Sequence, residues 1–364
     1  MKVLIAGGGT GGHLMPALAI AAALTEQRPD IQLLLIGSER GIEKIVLPKY
    51  PYAYRLLPSE PLYRGSWWRN VRWIRLALRL KHDVDRLLDA ERPDVVVSTG
   101  GYAAGPVVWR AQRRGIPTAL QEQNAFPGLT TRWLARRARH IYLGIDDARG
   151  RLSTGVATQI FTFGNPIRPP AANGTEGTDR FAVLREMGLE PSRPCVFVFG
   201  GSQGSQTLNA AVAGALEQRL LDGVSLLWGT GPAHAQRYAS RAVPGRVVVR
   251  GFFDPIAPAY RAADLVVSRA GAMTIAELCA WGKPSVLVPL KTAAADHQTY
   301  NARALAARGA AILLPEPDLT AESLAKTVVE MSGDRPRLTT MAERAQANGH
   351  PEASREIAAA ILTL

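Results

Sequence analysis

Short β-rich runs alternate with helical patterns along the whole chain. Lys2–Ala6, Ile31–Ile36, Asp94–Thr99, Pro117–Gln121 and His140–Leu143 form one set of runs. Cys195–Phe199, Val224–Trp228, Arg246–Arg250, Asp264–Ser268 and Ser285–Pro289 form a second. Several are continuously apolar instead of alternating, which predicts strands covered on both faces, as in a parallel sheet. The stretches between them, mostly roughly 15–30 residues, suit crossover helices of βαβ units. The pattern therefore predicts an α/β protein with two Rossmann-like halves. Between the halves, Pro166–Asp179 holds Pro169, Pro170, Gly174 and Gly177 with no apolar periodicity, and reads as a linker.

Composition sharpens this picture. A chain of 364 residues is long enough for two domains at roughly 100–200 residues each. Cys195 and Cys279 sit in apolar segments, far apart and without metal-ligand spacing, and are expected as buried thiols. No charged leader precedes the first strand, so no signal peptide is expected. The longest apolar stretch, Leu14–Leu24, falls short of a membrane span, which needs about 20 residues. The net charge of +12 is uneven: up to Gly164 there are 23 Lys and Arg against 13 Asp and Glu, and beyond it 20 against 18. A basic first half suits an anionic partner such as membrane lipid, nucleic acid or a phosphate-bearing substrate, or is a solvated surface. No nucleic-acid-binding motif accompanies the charge, and nucleic acid is not expected as a partner.

Candidate chemistry gathers at strand ends. Gly7-Gly-Gly-Thr-Gly-Gly-His13 directly follows the first strand and opens a helix. Glycines let the backbone approach a ligand, and the helix start offers N–H groups and a positive dipole end to an anion. The spacing also satisfies a dinucleotide fingerprint, but no acidic residue clearly ends the second strand, which disfavours NAD. His13 lies at a helix start, where the dipole favours a neutral imidazole suited to a general base; a binding or structural role stays open. Gly100-Gly-Tyr-Ala-Ala-Gly-Pro106 is a second such turn. After the strand at Pro117, Gln121-Glu-Gln-Asn124 offers polar side chains not expected in a core. Glu122 is a possible base and Asn124 a hydroxyl reader, or the group caps the helix near Leu129. In the second half, Gly200-Gly-Ser-Gln-Gly-Ser205 suits a diphosphate, with Ser202 adding a hydroxyl. Glu277 lies a turn into the helix after Gly271, placed for ribose hydroxyls or for dipole compensation. Asp296-His-Gln-Thr-Tyr-Asn301 clusters hydrogen-bonding side chains after the strand at Ser285.

Taken together, these residues resemble the MurG family, the UDP-N-acetylglucosamine transferases that complete the lipid-linked peptidoglycan precursor. The resemblance spans nearly the whole chain. It rests on Gly8-Gly-Thr-Gly-Gly-His-Leu-Met-Pro-Ala-Leu-Ala19, Gly100-Gly-Tyr102, Gln121-Glu-Gln-Asn124, Gly164-Asn-Pro-Ile-Arg168, Gly200-Gly-Ser-Gln-Gly204, Ser268-Arg-Ala-Gly-Ala-Met-Thr-Ile-Ala-Glu277 and Asp296-His-Gln298 with Asn301, in the family order. Gln121 stands where a His is often seen, and His297-Gln298 where some relatives carry Gln-Gln.

The resemblance implies the GT-B fold, two Rossmann-like domains with parallel sheets facing a central cleft. The expected division is 1–164 for the acceptor and the membrane, 165–340 for UDP-GlcNAc, and a C-terminal helix, 341–364, that packs back on the first domain, with Glu352–Leu362 as the stretch that crosses. It implies that Ser202 and Arg168 meet the diphosphate, and that Phe253 lies beside uracil. Ala272, Met273 and Thr274 would face the nucleotide, Glu277 the ribose, and His297 and Gln298 the GlcNAc hydroxyls. Thr10, Gly11, Gly12 and Asn124 would line the cleft from the other side. The implied reaction is an inverting displacement in which the C4 hydroxyl of the MurNAc of lipid I attacks UDP-GlcNAc. His13, or failing that Glu122, takes the proton. No metal or cofactor is expected, since no Asp-x-Asp ends a strand; a UDP-GlcNAc epimerase of the same fold is the alternative. Trp67, Trp68 and Trp73, interleaved with Arg72, Arg75 and Arg79, suit an interfacial segment on an anionic membrane, or an ordinary helix with snorkelling arginines. The enzyme is thus expected at the cytoplasmic face of the membrane, held peripherally.

Overall fold

The computed structural model describes residues 1–59, 71–170 and 179–364, with only the helical backbone for 71–78. Among the described residues there are thirteen strands. They are β1 (Lys2–Gly7), β2 (Gln32–Ser38), β3 (Ala53–Leu57), β4 (Val95–Gly100), β5 (Thr118–Glu122), β6 (His140–Leu143), β7 (Gln159–Phe161), β8 (Cys195–Phe199), β9 (Ser225–Gly229), β10 (Val247–Arg250), β11 (Leu265–Ser268), β12 (Ser285–Leu287) and β13 (Ala311–Leu313). They form two sheets, ordered β3-β2-β1-β4-β5-β6-β7 and β10-β9-β8-β11-β12-β13. The strand pairs are parallel, as in β1 against β2 and β4, and β8 against β9 and β11. In each sheet the chain order reverses beside the first strand, the topology whose strand ends make a ligand crevice.

The ten expected strands are all present. The three that periodicity did not predict, β3, β7 and β13, each lie at a sheet edge. β3 alternates exposed and half-buried residues and β7 is only partly covered, so neither carries the continuous apolar run that marks the interior strands.

The chain divides into two compact units, Met1–Ile167 with Glu352–Leu364, and Arg168–Pro351. In the first, successive residues of β1 feed opposite cores. Leu4 and Ala6 join Leu80, Val84, Val107 and Val108 on one face, while Val3 and Ile5 join Leu14, Ile20 and Leu24 on the other. The second unit is likewise double-faced, with Phe197 and Tyr260 on one side and Val196 and Trp228 on the other. Each fully buried large apolar side chain contributes roughly 1.5–3 kcal/mol. Trp228 also donates its indole N–H to Asn209 Oδ1 at 2.9 Å, so its burial strands no polar group.

Two expectations need correction. The segment 341–364 is two helices, Arg335–Ala347 and Ala353–Ile361, separated around Gly349. Met341 and Ala345 are buried in the cores of the second unit, whereas Ile357, Ala358 and Ile361 enter the first. Apolar positions on each short helix face different cores, so one continuous helix cannot serve both. The linker also starts later than its prolines suggest. Asn165 and Ile167 are buried, and Ser354 Oγ donates to the Ile167 carbonyl at 3.1 Å. Residues 171–178 of that stretch lie outside the described residues.

Candidate active site

The register of β1 against β4 slips between Ala6 and Gly7, which brings Gly7 opposite Gly100. The two glycine turns therefore leave the sheet side by side, and the Gly8 N–H donates to the Gly100 carbonyl at 3.3 Å. Gly101 has φ +85°, and a Cβ there would sit 2.0 Å from the Gly8 carbonyl oxygen. Only glycine accepts both the left-handed backbone and that approach. From beneath, Glu43 accepts the Gly9 N–H. Its side chain is fully buried and fills space left by the missing side chains of Gly8, Gly37 and Gly41. Glu43 has no predicted role in the sequence, yet it is the floor of the turn that leads through Thr10 into the helix Gly11–Gln27, whose first turn carries Gly11, Gly12 and His13.

His13 lies against Gly100 and Gly101, and its Nδ1 is 3.0 Å from the Thr99 carbonyl. A carbonyl only accepts, so in the neutral ring Nδ1 carries the proton and Nε2 the basic lone pair. Thr99 Oγ1 donates to the His13 carbonyl at 2.8 Å and fixes the backbone as well. Glu122 is placed differently. Its Oε1 accepts from Asn124 N at 3.1 Å and Asn124 Nδ2 at 3.2 Å, and its Oε2 from Gly128 N at 2.9 Å. Both oxygens hold the loop that leads into the helix Leu129–Leu134. The expectation that Gln121-Glu-Gln-Asn124 stays out of the core is incorrect for its first three members. Gln121, Glu122 and Gln123 are all buried, because they satisfy one another and the backbone.

In the second unit the loop after β8 has positive φ at Gly201 and Gly204, and Ser202 stands exposed at its tip. Ser205 caps the helix Gln206–Glu217, accepting the Leu208 N–H at 3.3 Å. Arg269, given no role by the sequence, ties the neighbouring loops together. Its buried guanidinium donates to Ser205 Oγ and Thr207 Oγ1, both at 2.7 Å, to the Val288 and Pro289 carbonyls, and to Glu316. Glu316 also takes the Lys291 N–H at 2.9 Å. The lone charged residue at the end of the apolar strand β11 was the signal for it. Arg168 is exposed at the start of this unit.

The helix Ala272–Ala280 begins after Gly271, which supplies no side-chain acceptor to its first turn, formed by Ala272, Met273 and Thr274. One turn on, Glu277 accepts from Tyr260 Oη at 2.9 Å, and burial pushes its carboxyl up to about 7. Before the helix His297–Ala307, Ala295 and Asp296 both hold left-handed backbone, at φ +52° and +54°. Such non-glycine conformations cost on the order of 1–3 kcal/mol each and concentrate at functional sites. His297 Nδ1 donates to the Ala294 carbonyl at 2.8 Å. Gln298 Oε1 accepts the Leu290 N–H at 2.9 Å, which leaves its Nε2 as the donor to offer a ligand. At Phe253 the structure limits what the ring can do. Its ring is 3% exposed and packs edge-on against Phe197 in the core, so it cannot stack on a base; the exposed ring is Phe252, at 51%.

Trp67 and Trp68 lie outside the described residues, as do the side chains of Arg72, Trp73 and Arg75; Arg79 is exposed and pairs with Asp83 at 3.7 Å. A second aromatic and basic surface was not anticipated. Trp109 and Trp133 stack with centroids 6.1 Å apart, and Trp133 and Leu129 are 59% and 57% exposed. The Arg110 and Arg113 guanidinium groups lie over Trp109, and those of Arg132 and Arg151 over Phe126. Among the described residues no helix is long and apolar enough to cross a membrane. Among them, too, no three His, Cys, Asp or Glu side chains group so as to hold a metal ion. Cys195 and Cys279 are free and buried, and burial pushes both thiols up to about 12, far from a reactive thiolate.

Two parallel α/β units with glycine turns at their strand ends, and the family models that cover both, make this a glycosyltransferase of two Rossmann-like units. The chain matches the glycosyltransferase family 28 N-terminal domain over residues 3–143 and the family 28 C-terminal domain over 195–357. It is 39% identical to the UDP-N-acetylglucosamine--N-acetylmuramyl-(pentapeptide) pyrophosphoryl-undecaprenol N-acetylglucosamine transferase of Chlorobaculum parvum, covering 100% of this chain and 99% of the relative. The protein of the same name from Myxococcus xanthus is 40% identical, over 98% of this chain and 91% of its own. Among solved structures, Acinetobacter baumannii MurG superposes with a TM-score of 0.79 at 25% identity, covering 100% of this chain and 99% of that one. A UDP-GlcNAc 2-epimerase from Neisseria meningitidis, bound to UDP-GlcNAc, shares the fold at a TM-score of 0.67 and 12% identity, over 100% of each chain. The chain belongs to the MurG family.

Proposed function

We propose that this enzyme transfers GlcNAc from UDP-GlcNAc to the C4 hydroxyl of the MurNAc of lipid I, forming the β-1,4-linked disaccharide lipid II and UDP in peptidoglycan synthesis. Full-length likeness to relatives named for that transfer supports the reaction; the epimerase alternative has only the shared fold behind it. The observation that carries the mechanism is the His13 Nδ1 contact with the Thr99 carbonyl. It leaves Nε2 as the basic atom of the ring, so His13 accepts the proton of the attacking hydroxyl. Oxygen then bonds to the anomeric carbon with inversion as the bond to the UDP oxygen breaks. Glu122 is the weaker candidate because both its oxygens already hold backbone.

The second unit is read as the donor site. Ser202, Arg168 and the helix start at Ala272, Met273 and Thr274 receive the diphosphate and stabilise its charge as UDP departs. Glu277 accepts from the ribose, and His297 and Gln298 meet the GlcNAc hydroxyls. Phe252, not the ring of Phe253, is the aromatic surface available to uracil. Thr10, Gly11, Gly12 and Asn124 border the acceptor. We assign the exposed Trp133 and Leu129, beside arginines, to contact with an anionic membrane surface on the cytoplasmic side, where a lipid-linked acceptor is embedded.

The deciding experiment is UDP release from UDP-GlcNAc with and without a lipid I analogue, in EDTA. Release that requires the acceptor and survives chelation is expected. Consumption of UDP-GlcNAc without acceptor would return the epimerase, and loss of activity in EDTA would end the metal-independent mechanism.

A further inference from the structure

Behind His13 lies a closed ring of buried amides that the transfer mechanism does not yet use. The Thr99 carbonyl accepts twice, from His13 Nδ1 at 3.0 Å and from Gln123 Nε2 at 2.7 Å. Gln123 Nε2 also donates to Gln121 Oε1. Gln121 Nε2 donates to Asn165 Oδ1 at 2.9 Å, and Asn165 Nδ2 returns to the Gln123 carbonyl at 3.0 Å. Gln121, Gln123 and Asn165 are all buried. Turning any one amide over would set donor against donor and acceptor against acceptor without water to repair it, so the ring has one direction.

We infer that Gln123 is a positioning residue for the reaction: it anchors the Thr99 carbonyl against which His13 Nδ1 is aimed, and by sharing that carbonyl it limits how far the carbonyl can stabilise the imidazolium. A carbonyl with one donor strengthens its bond when the ring gains a proton; a carbonyl already giving density to Gln123 has less to offer. Titratable groups on the elements packed around His13 are Glu43 beneath Gly8 and Gly9, Tyr102 against Gly9, and Glu122 at the end of β5. None of them is altered by changing Gln123. The inference rests on the reading of His13 as base.

Gln123→Met keeps the length and removes both donors. In the full-length protein labelled with ¹⁵N-histidine, wild-type His13 is expected as the Nδ1–H tautomer, its signal assigned through His13→Gln. In Gln123→Met the Nδ1–H tautomer is expected to remain, with the His13 titration and the acid limb of kcat/KM both moved upward by ~0.5 pH unit or more. Because the base loses alignment, kcat should fall roughly 10–100-fold with the KM for UDP-GlcNAc unchanged. If that variant does not fold, Asn165→Ser opens the same ring from its far side and is expected to move the same signals in the same direction. A folded variant whose His13 titration and acid limb of kcat/KM match the wild type overturns the inference. Should His13→Ala retain kcat, the base reading fails separately, and the role in the reaction falls with it even where the titration result stands.

Discussion

Glu277 illustrates how a single side chain links ligand reading to pH. Burial pushes its carboxyl up to about 7 from an ordinary value of 4.5, with the Tyr260 hydroxyl opposing the shift. The folded chain thus keeps a proton that the unfolded chain has released across that interval. Its contribution to stability is full below about pH 4.5, declines as pH rises through about 7, and is level beyond. Glu277→Gln has no proton to lose. Its denaturation midpoint relative to the parent should therefore be higher at pH 8 than at pH 5. An unchanged difference at the two values would mean the carboxyl is not perturbed in the fold. In the proposed function the same group accepts ribose hydroxyls, which it would do best when ionised, so UDP affinity of the parent should rise between pH 6 and 8. In the variant, affinity should be roughly 10–100-fold weaker, the loss of a hydrogen bond to a charged group, and flat with pH. Calorimetric titration of UDP reads both.

At the level of elements, the interior strands and the glycine turns were legible because burial on both faces and positive φ each demand particular residues. The edge strand Ala53–Leu57 was not, since its burial alternates and its pairing is decided by a neighbour. Candidate chemistry was legible as residue types at strand ends, but its division of labour was not. Glu122 and Phe253 look available in one dimension and are committed to a loop and a core in three. Glu43, Arg269, Gln123 and Asn165 gain meaning only from partners distant in sequence. The membrane reading shows the same dependence. The helices Ala104–Arg113 and Leu129–Leu134 are unremarkable alone, yet together they stack Trp109 on Trp133 and leave Leu129 exposed. Leu129→Ala with Trp133→Ala removes the exposed part of this surface. Binding to vesicles containing phosphatidylglycerol should weaken on the order of tenfold or more from the lost apolar burial. UDP release with a soluble acceptor analogue should stay near the parent level. Equal sedimentation of parent and variant with those vesicles would remove this surface from the membrane assignment.

For the whole molecule, the returning C-terminal helix makes the first unit depend on the far end of the chain. Ile357, Ala358 and Ile361 complete the core built by Val3, Ile5, Leu14 and Leu24, and Gln27 Nε2 reaches the Arg355 carbonyl at 2.8 Å. Residues 168–351, which form the other unit, are thereby closed off between two segments of the first. Each unit has two sheet faces of its own to bury, so unfolding should not follow a single all-or-none transition. A ligand stabilises only the unit that binds it, by about 2.7 kcal/mol at a hundred times its dissociation constant. Ile357→Ala, by contrast, leaves a cavity under the helix Gly11–Gln27 and should cost about 2–5 kcal/mol in the first unit alone. Scanning calorimetry with and without UDP separates the two effects. The transition raised by UDP should be the one that Ile357→Ala leaves in place, and the transition lowered by Ile357→Ala should be the one UDP does not move. If UDP and Ile357→Ala act on the same transition, either the nucleotide is bound by the first unit or the units do not unfold independently. Adding Leu278→Ala, which empties space in the second core alone, decides between these. Under the first alternative it lowers the other transition, and under the second it lowers the shared one.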